Sequence, residues 1–407
     1  MPDPGPGYRS GMTALLLTSL RPWGGAPTDV LIEDGVISAL GTDLPAPPGT
    51  RIVDARGLLA LPGLVNSHAH VDKSWWGKPW VSYGGEATTQ GRIAHERAER
   101  GALGIPSEDS TVQVMQEFLR HGTTATRTHV DVDLGVGLDG IASVRAAAER
   151  LGGALEVRIV AFPQDGVLRR PGVLDLLDRA AQEGADAIGG LDPAGIDRDP
   201  VGQLDALVDI AERRGVELDI HLHDGGSLGI FQLELLLDRT VRAGLQGRVN
   251  VSHGFALHDV QGRQAEELLA ALGEAGISWT SVAPLNRGRV PWREMREHGV
   301  GLGLGTDGIR DLWSPYGDGD MLRIALTFAQ IQGLRHDEEI AAALRLVTTG
   351  SARFVGRKQH DLAPGARGDV VLVDAENLPD ALLRAPRREL VVAGGRIVAE
   401  AGELLGD

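Results

Sequence analysis

The chain has 407 residues, 42% of them hydrophobic, and a formal net charge of −16. This acidic balance excludes functions that depend on a basic surface, so we predict no nucleic-acid partner and no anionic membrane partner. The sequence contains no cysteine, which excludes disulfides and thiolate metal sites, so any metal is expected to bind histidines and carboxylates.

Short β-rich runs open the chain. After eleven residues that we expect to be a disordered lead-in come TALLLTSL, DVLIEDGVISAL and RIVDARG, and EDG in the second run is a hairpin signal. We interpret MTALLLTSL as part of a strand rather than a signal peptide, because no small-residue cleavage site follows it closely. Apolar runs also stay well short of the roughly 20 residues of a membrane helix. We therefore predict a cytoplasmic protein.

The middle of the chain alternates between strand-like apolar runs and amphipathic helical patterns. Segments such as IASVRAAAERL and VGQLDALVDIAERRG carry apolar residues at helical spacing and end near glycine. Eight strands separated by such helices in about 300 residues predict a (β/α)8 TIM barrel, although alternation alone also fits a doubly wound open sheet. The predicted strands are 63–70, 124–132, 157–163, 187–192, 218–223, 249–253, 277–283 and 301–306.

The C-terminal runs GDVVLVDA and ELVVAGGRIVAE are again β-rich. Because neither end of the chain has enough strands to close a core alone, we expect the two ends to pair. The predicted domains are a composite β-sandwich of residues 1–61 and 362–407 and a barrel of residues 62–361.

Metal-competent side chains follow most of the predicted barrel strands, at the face where such barrels carry their active sites. His68 and His70 alternate at the end of the first strand, so both imidazoles point to the same side. Further candidates follow other strands: Gln164, Asp192, His221, His223, Asp224, His253 and Asp307.

Three histidines and one aspartate, His68, His70, His221 and Asp307, form a donor set suited to Zn²⁺ or Fe²⁺. A divalent metal lowers the pKa of bound water from 15.7 to about 7, so this set predicts metal-assisted hydrolysis by a metal-bound hydroxide. We expect one ion per subunit, because the third and fourth strand ends carry no lysine that could bridge a metal pair. Asp192, a carboxylate at the end of the fourth strand, leaves a second metal ion open as an alternative.

The motif LPGLVNSHAHVDKS, the strand-five histidine, the SHG after strand six, the strand-eight aspartate and the split sheet domain resemble the amidohydrolase superfamily. Within it, TRTHVDVD, VRIVAFPQDG and GTDGIRDLWSPYGDGDM look like the bacterial cytosine deaminase branch. GGLDPA and HLHDGGSLGIF are most similar to enzymes of that branch that remove an alkylamine from a hydroxylated s-triazine. The resemblance covers essentially the whole chain.

The resemblance implies roles for individual residues. His68, His70, His221 and Asp307 match the metal ligands, and Asp307 also matches the group that takes a proton from the attacking water. His253 matches the histidine that hydrogen-bonds the hydroxide or the tetrahedral centre.

Substrate contacts are expected from three further residues, Gln164, Trp313 and Asp192. Gln164 matches the glutamine that reads the edge of the heterocycle, and a neutral amide offers both a donor and an acceptor for that purpose.

One position departs from the cytosine deaminase pattern. That branch places a glutamate three residues after the strand-five histidine, where it shuttles protons, and this chain has the shorter Asp224. We predict Asp224 as the proton shuttle, with His223 as the alternative.

The predicted function is displacement of ammonia or an alkylamine from a small nitrogen heterocycle of the hydroxy-s-triazine or pyrimidine type. The alternatives are a cytosine- or creatinine-type deaminase that releases only ammonia, a cyclic amide hydrolase, and a non-catalytic scaffold. We predict that the enzyme is a homo-oligomer with a small-molecule substrate.

Overall fold

The computed structural model describes residues 14–406. The expected lead-in of eleven residues lies outside this range. The chain begins with five strands: β1 (Leu15–Pro22), β2 (Thr28–Glu33), β3 (Val36–Gly41), β4 (Arg51–Asp54) and β5 (Leu59–Pro62). Strand β1 pairs with β4 through its first half, with β2 as far as Leu20, and with β5 through its last two residues, so it joins two parts of one sheet.

Eight parallel strands form the centre of the molecule. They are β6 (Leu64–Ala69), β7 (Thr123–Asp131), β8 (Glu156–Phe162), β9 (Ala187–Leu191), β10 (Glu217–Leu222), β11 (Val249–His253), β12 (Ser278–Ser281) and β13 (Leu302–Leu304). Each strand pairs with the next in chain order, and a parallel bridge between Ala69 and Asp307 joins the last strand to the first. The predicted (β/α)8 barrel is therefore confirmed, and the open-sheet alternative is wrong.

Helices follow the barrel strands, and most of them cover the outside of the barrel. They are α1 (Thr89–Leu103), α2 (Glu108–Arg120), α3 (Asp139–Arg150), α4 (Val173–Gln182), α5 (Pro200–Arg214), α6 (Gly226–Arg242), α7 (Gly262–Glu274), α8 (Trp292–Glu297), α9 (Met321–Gln332) and α10 (Asp337–Arg345). Helix α5 shows the underlying pattern, since Leu204, Leu207 and Ala211 are buried on one face and the helix ends at Gly215 in the left-handed conformation.

The C-terminal segment returns to the first sheet. Strands β14 (Val370–Val373), β15 (Arg388–Ala393), β16 (Arg396–Glu400) and β17 (Glu403–Leu404) form an antiparallel series, with helix α11 (Leu378–Arg384) after β14. Strand β14 pairs antiparallel with β5, so both ends of the chain share one sheet. Apolar side chains from both ends, such as Leu17, Ile32 and Val370, form a core separate from that of the barrel.

The terminal sheet and the barrel meet at buried Asp369. Its carboxylate accepts hydrogen bonds from the Thr124 hydroxyl on β7 (2.9 Å), from the Gly394 N–H (2.8 Å) and from Arg357 (2.9 Å). The exact domain boundaries at 61/62 and 361/362 stay a prediction. Within residues 14–406, the helices are all too short or too polar to cross a membrane.

Candidate active site

Four residues at the carboxyl ends of barrel strands, or just after them, have a left-handed backbone. Asp192 (φ 35°), His253 (φ 67°), Ala283 (φ 48°) and Asp307 (φ 61°) lie at the carboxyl ends of β9, β11, β12 and β13 or just after them. This conformation is uncommon for residues other than glycine and costs about 1–3 kcal/mol in sparsely populated regions. Its repetition at one rim marks this rim as the functional face of the barrel.

Gly305 allows the segment after β13 to lie close to β6. A Cβ atom at position 305 would lie 2.3 Å from the backbone oxygen of His68, so only glycine fits there. The close approach allows the Asp307 N–H to donate to the same His68 oxygen at 3.0 Å. This contact fixes the aspartate of the eighth strand beside the histidines of the first.

Five histidines and Asp307 converge at this rim. The ring of His68 lies 4.2 Å from His129, 4.8 Å from His221 and 5.0 Å from His253 between centroids. Asp307 Oδ1 lies 3.2 Å from His70 Nε2 and 3.6 Å from His68 Nε2. Their nitrogen and oxygen atoms form two overlapping groups, one of His68, His70, His129 and His221 and one of His68, His253 and Asp307, whose members lie within 4.8 Å of one another.

The cluster is suited to a divalent cation. His68 Nε2, His70 Nδ1 and both ring nitrogens of His221 are buried without a hydrogen-bond partner, which is costly for polar atoms. Burial, followed by the charge of Lys73, holds the pKa of His70 well below its usual range, and burial also lowers the pKa of His221. Neutral imidazoles are the form that binds metal. The four residues predicted as ligands therefore lie together with nitrogen atoms available for a metal.

A buried aspartate that the sequence analysis did not identify lies beneath the cluster. Asp219 is fully buried, and its Oδ1 lies 3.3 Å from His129 Nε2 and accepts the hydroxyl of Ser252 at 2.6 Å. The Ser252 hydroxyl in turn lies 3.0 Å from His68 Nδ1. Burial would raise the pKa of Asp219, but His129 and Arg127 lower it far below its usual range. Asp219 thus fixes the orientation of two cluster histidines.

His223 and Asp192 form a pair at the edge of the cluster. Asp192 Oδ2 lies 2.9 Å from His223 Nδ1, and its other oxygen accepts the His223 backbone N–H at 2.5 Å. Burial would lower the pKa of His223, but the charge of Asp192 outweighs it and the pKa is raised. The imidazole also stacks on His253, with centroids 4.5 Å apart. Asp192 thus positions His223 and does not line the cavity itself.

Asp224 points away from the cluster. Its Oδ2 accepts the Gly195 backbone N–H at 3.1 Å and the side-chain amide of Gln232 at 3.0 Å, so it ties β10 to the short π-helix at Pro193–Asp197 and to α6. Asp224 is absent from the walls of the cavity, whereas His223 forms part of them. The catalytic role predicted for Asp224 stays a prediction, and its position favours the alternative, His223.

A cavity of about 300 Å³ opens above the histidines, a size at the lower end for small-molecule sites. Gln164 and Trp313, which stay predicted substrate contacts, line it together with residues that the sequence analysis did not single out: Phe162, Arg92, Asn286, Arg287 and Asp311. The Phe162 ring lies 4.1 Å from the ring of His221. The cavity therefore combines flat apolar walls with a few polar groups above the candidate metal ligands.

Lys73 is a buried cation in the cavity wall. Its ammonium donates to Asp131 Oδ1 at 3.0 Å and to Gln164 Oε1 at 3.2 Å, and Glu96 Oε1 lies 3.8 Å away. Burial would lower the pKa of Lys73, but Asp131, Glu96 and Asp72 raise it above its usual value. Lys73 is therefore a permanent positive charge at the cavity. In the sequence, the signal for this residue is the DKS that directly follows HAHV in the first histidine motif.

The chain resembles known proteins over most of its length. Residues 95–399 match the amidohydrolase family. An N-isopropylammelide isopropyl amidohydrolase from Pseudomonas sp. (strain ADP) is 29% identical over 86% of this chain and 88% of the relative. The crystal structure of an N-isopropylammelide isopropylaminohydrolase from Burkholderia multivorans superposes with a TM-score of 0.93, is 44% identical, and covers 97% of this chain and 100% of that one.

A second solved structure belongs to a 5-methylcytosine deaminase from Klebsiella pneumoniae with 5-fluorocytosine bound. It has a TM-score of 0.79 and 25% identity, and the match covers 95% of this chain and 97% of the deaminase. The resemblance inferred from the sequence motifs is confirmed by these matches.

Proposed function

This chain belongs to the amidohydrolase family and is an enzyme acting on carbon–nitrogen bonds, and we propose that it displaces ammonia or an alkylamine from a small nitrogen heterocycle. The proposed ring is of the hydroxy-s-triazine or pyrimidine type. The solved isopropylaminohydrolase at 44% identity supports an alkylamine as the leaving group. The cavity of about 300 Å³ has room for one such ring.

We assign one divalent ion, Zn²⁺ or Fe²⁺, to His68, His70, His221 and Asp307, whose donor atoms include unpartnered buried nitrogens. When bound, the ion would lower the pKa of water so that hydroxide is available near neutral pH. His129 belongs to the same group of nitrogens, but it lies 3.3 Å from Asp219, and we assign it to supporting His68 and His221 from below.

The chain's own residues move the protons. Asp307 Oδ1 faces the histidines and is the acceptor for a proton from the attacking water. His253, whose pKa is lowered first by burial and then by His223, is neutral and donates a hydrogen bond to the oxygen of the tetrahedral centre.

His223 supplies the proton for the leaving amine. Asp192 accepts from its Nδ1, which leaves Nε2 as the donor towards the cavity, and the raised pKa favours the protonated form. An amine is a poor leaving group unless it is protonated, so a positioned acid contributes about 10²- to 10⁴-fold to the rate. His223, which Asp192 holds and which lines the same cavity as the metal cluster, is the observation on which the proposal chiefly depends.

The substrate ring is positioned by Gln164, Phe162 and Trp313. The two aromatic rings give the planar heterocycle apolar surfaces, and the Gln164 amide contacts its polar edge. Trp313 is held in place because its indole N–H donates to Glu96 Oε2.

The experiment is product analysis by mass spectrometry with metal-loaded protein. The panel contains hydroxy-s-triazines with amino and with alkylamino substituents, aminopyrimidines and cyclic amides. We expect release of an intact amine and a ring product with oxygen in its place, with the hydroxy-s-triazines turned over fastest. A product with an opened ring would instead identify a cyclic amide hydrolase.

The domain boundaries at 61/62 and 361/362, with their composite β-sandwich and barrel, and the homo-oligomeric state are part of the proposal. Light scattering on the purified protein tests the assembly, and expression of residues 62–361 alone tests whether the barrel folds without the terminal sheet.

A further inference from the structure

The amide of Gln164 is oriented by Lys73. An ammonium group can only donate hydrogen bonds, so the atom of Gln164 that lies 3.2 Å from Lys73 Nζ is its acceptor oxygen. The amide nitrogen, which can only donate, is then the atom left for a ligand. Within residues 14–406, the only side-chain hydrogen bond of Gln164 is the one that its oxygen accepts from Lys73. Gln164 therefore presents the amide N–H as a free donor to the cavity, while its oxygen already accepts from Lys73.

Lys73 adds a second donor at the same place. Its ammonium carries three N–H groups, and two of them are used by Asp131 and Gln164 at 3.0 and 3.2 Å. Glu96 lies at 3.8 Å, beyond hydrogen-bond distance, so one N–H remains for a ligand. Lys73 is only 5% exposed but lines the cavity, where it lies 5.7 Å from the ring centroids of Phe162 and Trp313.

The cavity wall also carries two arginines. Arg92 and Arg287 line the cavity, and neither forms a salt bridge in the part of the chain that the structure describes, although the whole chain has a net charge of −16. Of the lining carboxylates, Asp307 belongs to the metal cluster. The other, Asp311, accepts the backbone N–H groups of Trp313 and Ser314.

We propose that Lys73 and Gln164 form a two-donor subsite that selects heterocycles in an anionic lactam form. In such a ring, an oxygen and the neighbouring deprotonated nitrogen both accept hydrogen bonds, and the negative charge lies beside the ammonium. A neutral ring edge that presents an N–H to this subsite would place that N–H against the N–H donors of Lys73 and Gln164, which costs binding energy. The inference rests on the proposed function only for the placement of a ring in this cavity.

The test compares two ligands of the same shape that carry no leaving amine, uracil and 6-azauracil. Only 6-azauracil ionises near neutral pH. Their affinities for the metal-loaded protein are measured by titration calorimetry at a pH where 6-azauracil is anionic and uracil neutral. We expect the protein to bind 6-azauracil about tenfold to a hundredfold more tightly, the range for hydrogen bonds to charged groups.

The Lys73→Met variant is expected to lose this preference, so that the two affinities become nearly equal, whereas Lys73→Arg keeps most of it. Lys78→Met is the matched control, because Lys78 lies in the same loop but donates to the Leu103 carbonyl (2.7 Å) outside the cavity. A preference that persists in a folded Lys73→Met protein would overturn the proposal, since the metal or the arginines would then read the charge.

Gln164→Glu keeps the inference testable if Lys73→Met does not fold. One carboxylate oxygen can still accept from Lys73, but the other replaces the amide donor with an acceptor. We expect this variant to bind uracil at least as tightly as 6-azauracil, and an unchanged preference for 6-azauracil would contradict the proposal. Because neither ligand is hydrolysed, the binding result stands apart from the reaction. A protein that shows the preference but turns over no heterocycle would refute the proposed function alone.

Discussion

Replacing His223 tests the assignment of the proton donor. His223→Gln removes the imidazole that Asp192 holds at 2.9 Å, and glutamine cannot supply a proton to a leaving amine. The expected loss in kcat on an alkylamino-s-triazine is about 10²- to 10⁴-fold, the usual contribution of a general acid. The side chain of His223 is 24% exposed, so we expect the variant to fold and to keep its metal.

Asp224→Asn is the matched comparison, one residue further along the chain. Its carboxylate contacts the Gly195 N–H and Gln232, so the change weakens two hydrogen bonds of about 1 kcal/mol each and lowers stability rather than turnover. We expect kcat to stay within a few-fold of the wild-type value.

The assay is steady-state release of the ring product, measured with two substrates that differ only in the leaving group. A halide leaves without a proton, so His223→Gln should slow a chloro-substituted ring far less than an alkylamino-substituted one. The reasoning is refuted if both substrates are slowed equally, or if Asp224→Asn causes the larger loss.

Three further predictions concern the metal, the packing beneath it and the sheet that joins the chain ends. Dialysis against a chelator should lower the Tm and abolish turnover, and one equivalent of Zn²⁺ should restore both. Elemental analysis should find one metal ion per chain, and two ions per chain would contradict the assignment. Gly305→Ala should cost about 2 kcal/mol by overpacking against His68 and should lower metal content, whereas unchanged denaturation and metal analysis would contradict it. Asp369→Asn should cost about 3 kcal/mol at pH 7 in urea unfolding, as expected when a buried ion pair loses one partner. Burial would raise the pKa of Asp369, but Arg367 and Arg357 lower it. The contribution of Asp369 to the free energy of unfolding is therefore full above the usual carboxyl pKa of about 4 and should shrink as the pH falls below that value. A stability difference between wild type and Asp369→Asn that grows as the pH falls would be inconsistent with this pairing.

The barrel could be predicted because each of its strands is a short apolar run between helices with clear glycine ends. All eight predicted strands overlap the observed ones. Strand β5 was not predicted, because its sequence LALP is apolar at every position and its burial is complete on both faces, so it shows no alternation. Its pairing with β14 depends on residues more than 300 positions away in the chain.

The site was only partly predictable, for a physical reason that His223 and Asp224 illustrate. Strand periodicity places Asp219, His221 and His223 on one face of β10, and it could have identified Asp219 as well. The direction of Asp224, which follows the strand, depends on the turn that carries it towards the Gly195 N–H. Likewise, the orientation of the Gln164 amide depends on Lys73, 91 residues earlier. Contacts of this kind are set by tertiary packing and leave no local pattern.

In the proposed reaction, water replaces an amine on an intact ring. The direct measurement is mass spectrometry of the products formed by the metal-loaded enzyme from an alkylamino-hydroxy-s-triazine in oxygen-18 water. We predict one labelled oxygen in the ring product and one equivalent of unlabelled free alkylamine. An opened ring that retains the amine nitrogen, or no incorporation of label, would contradict the account.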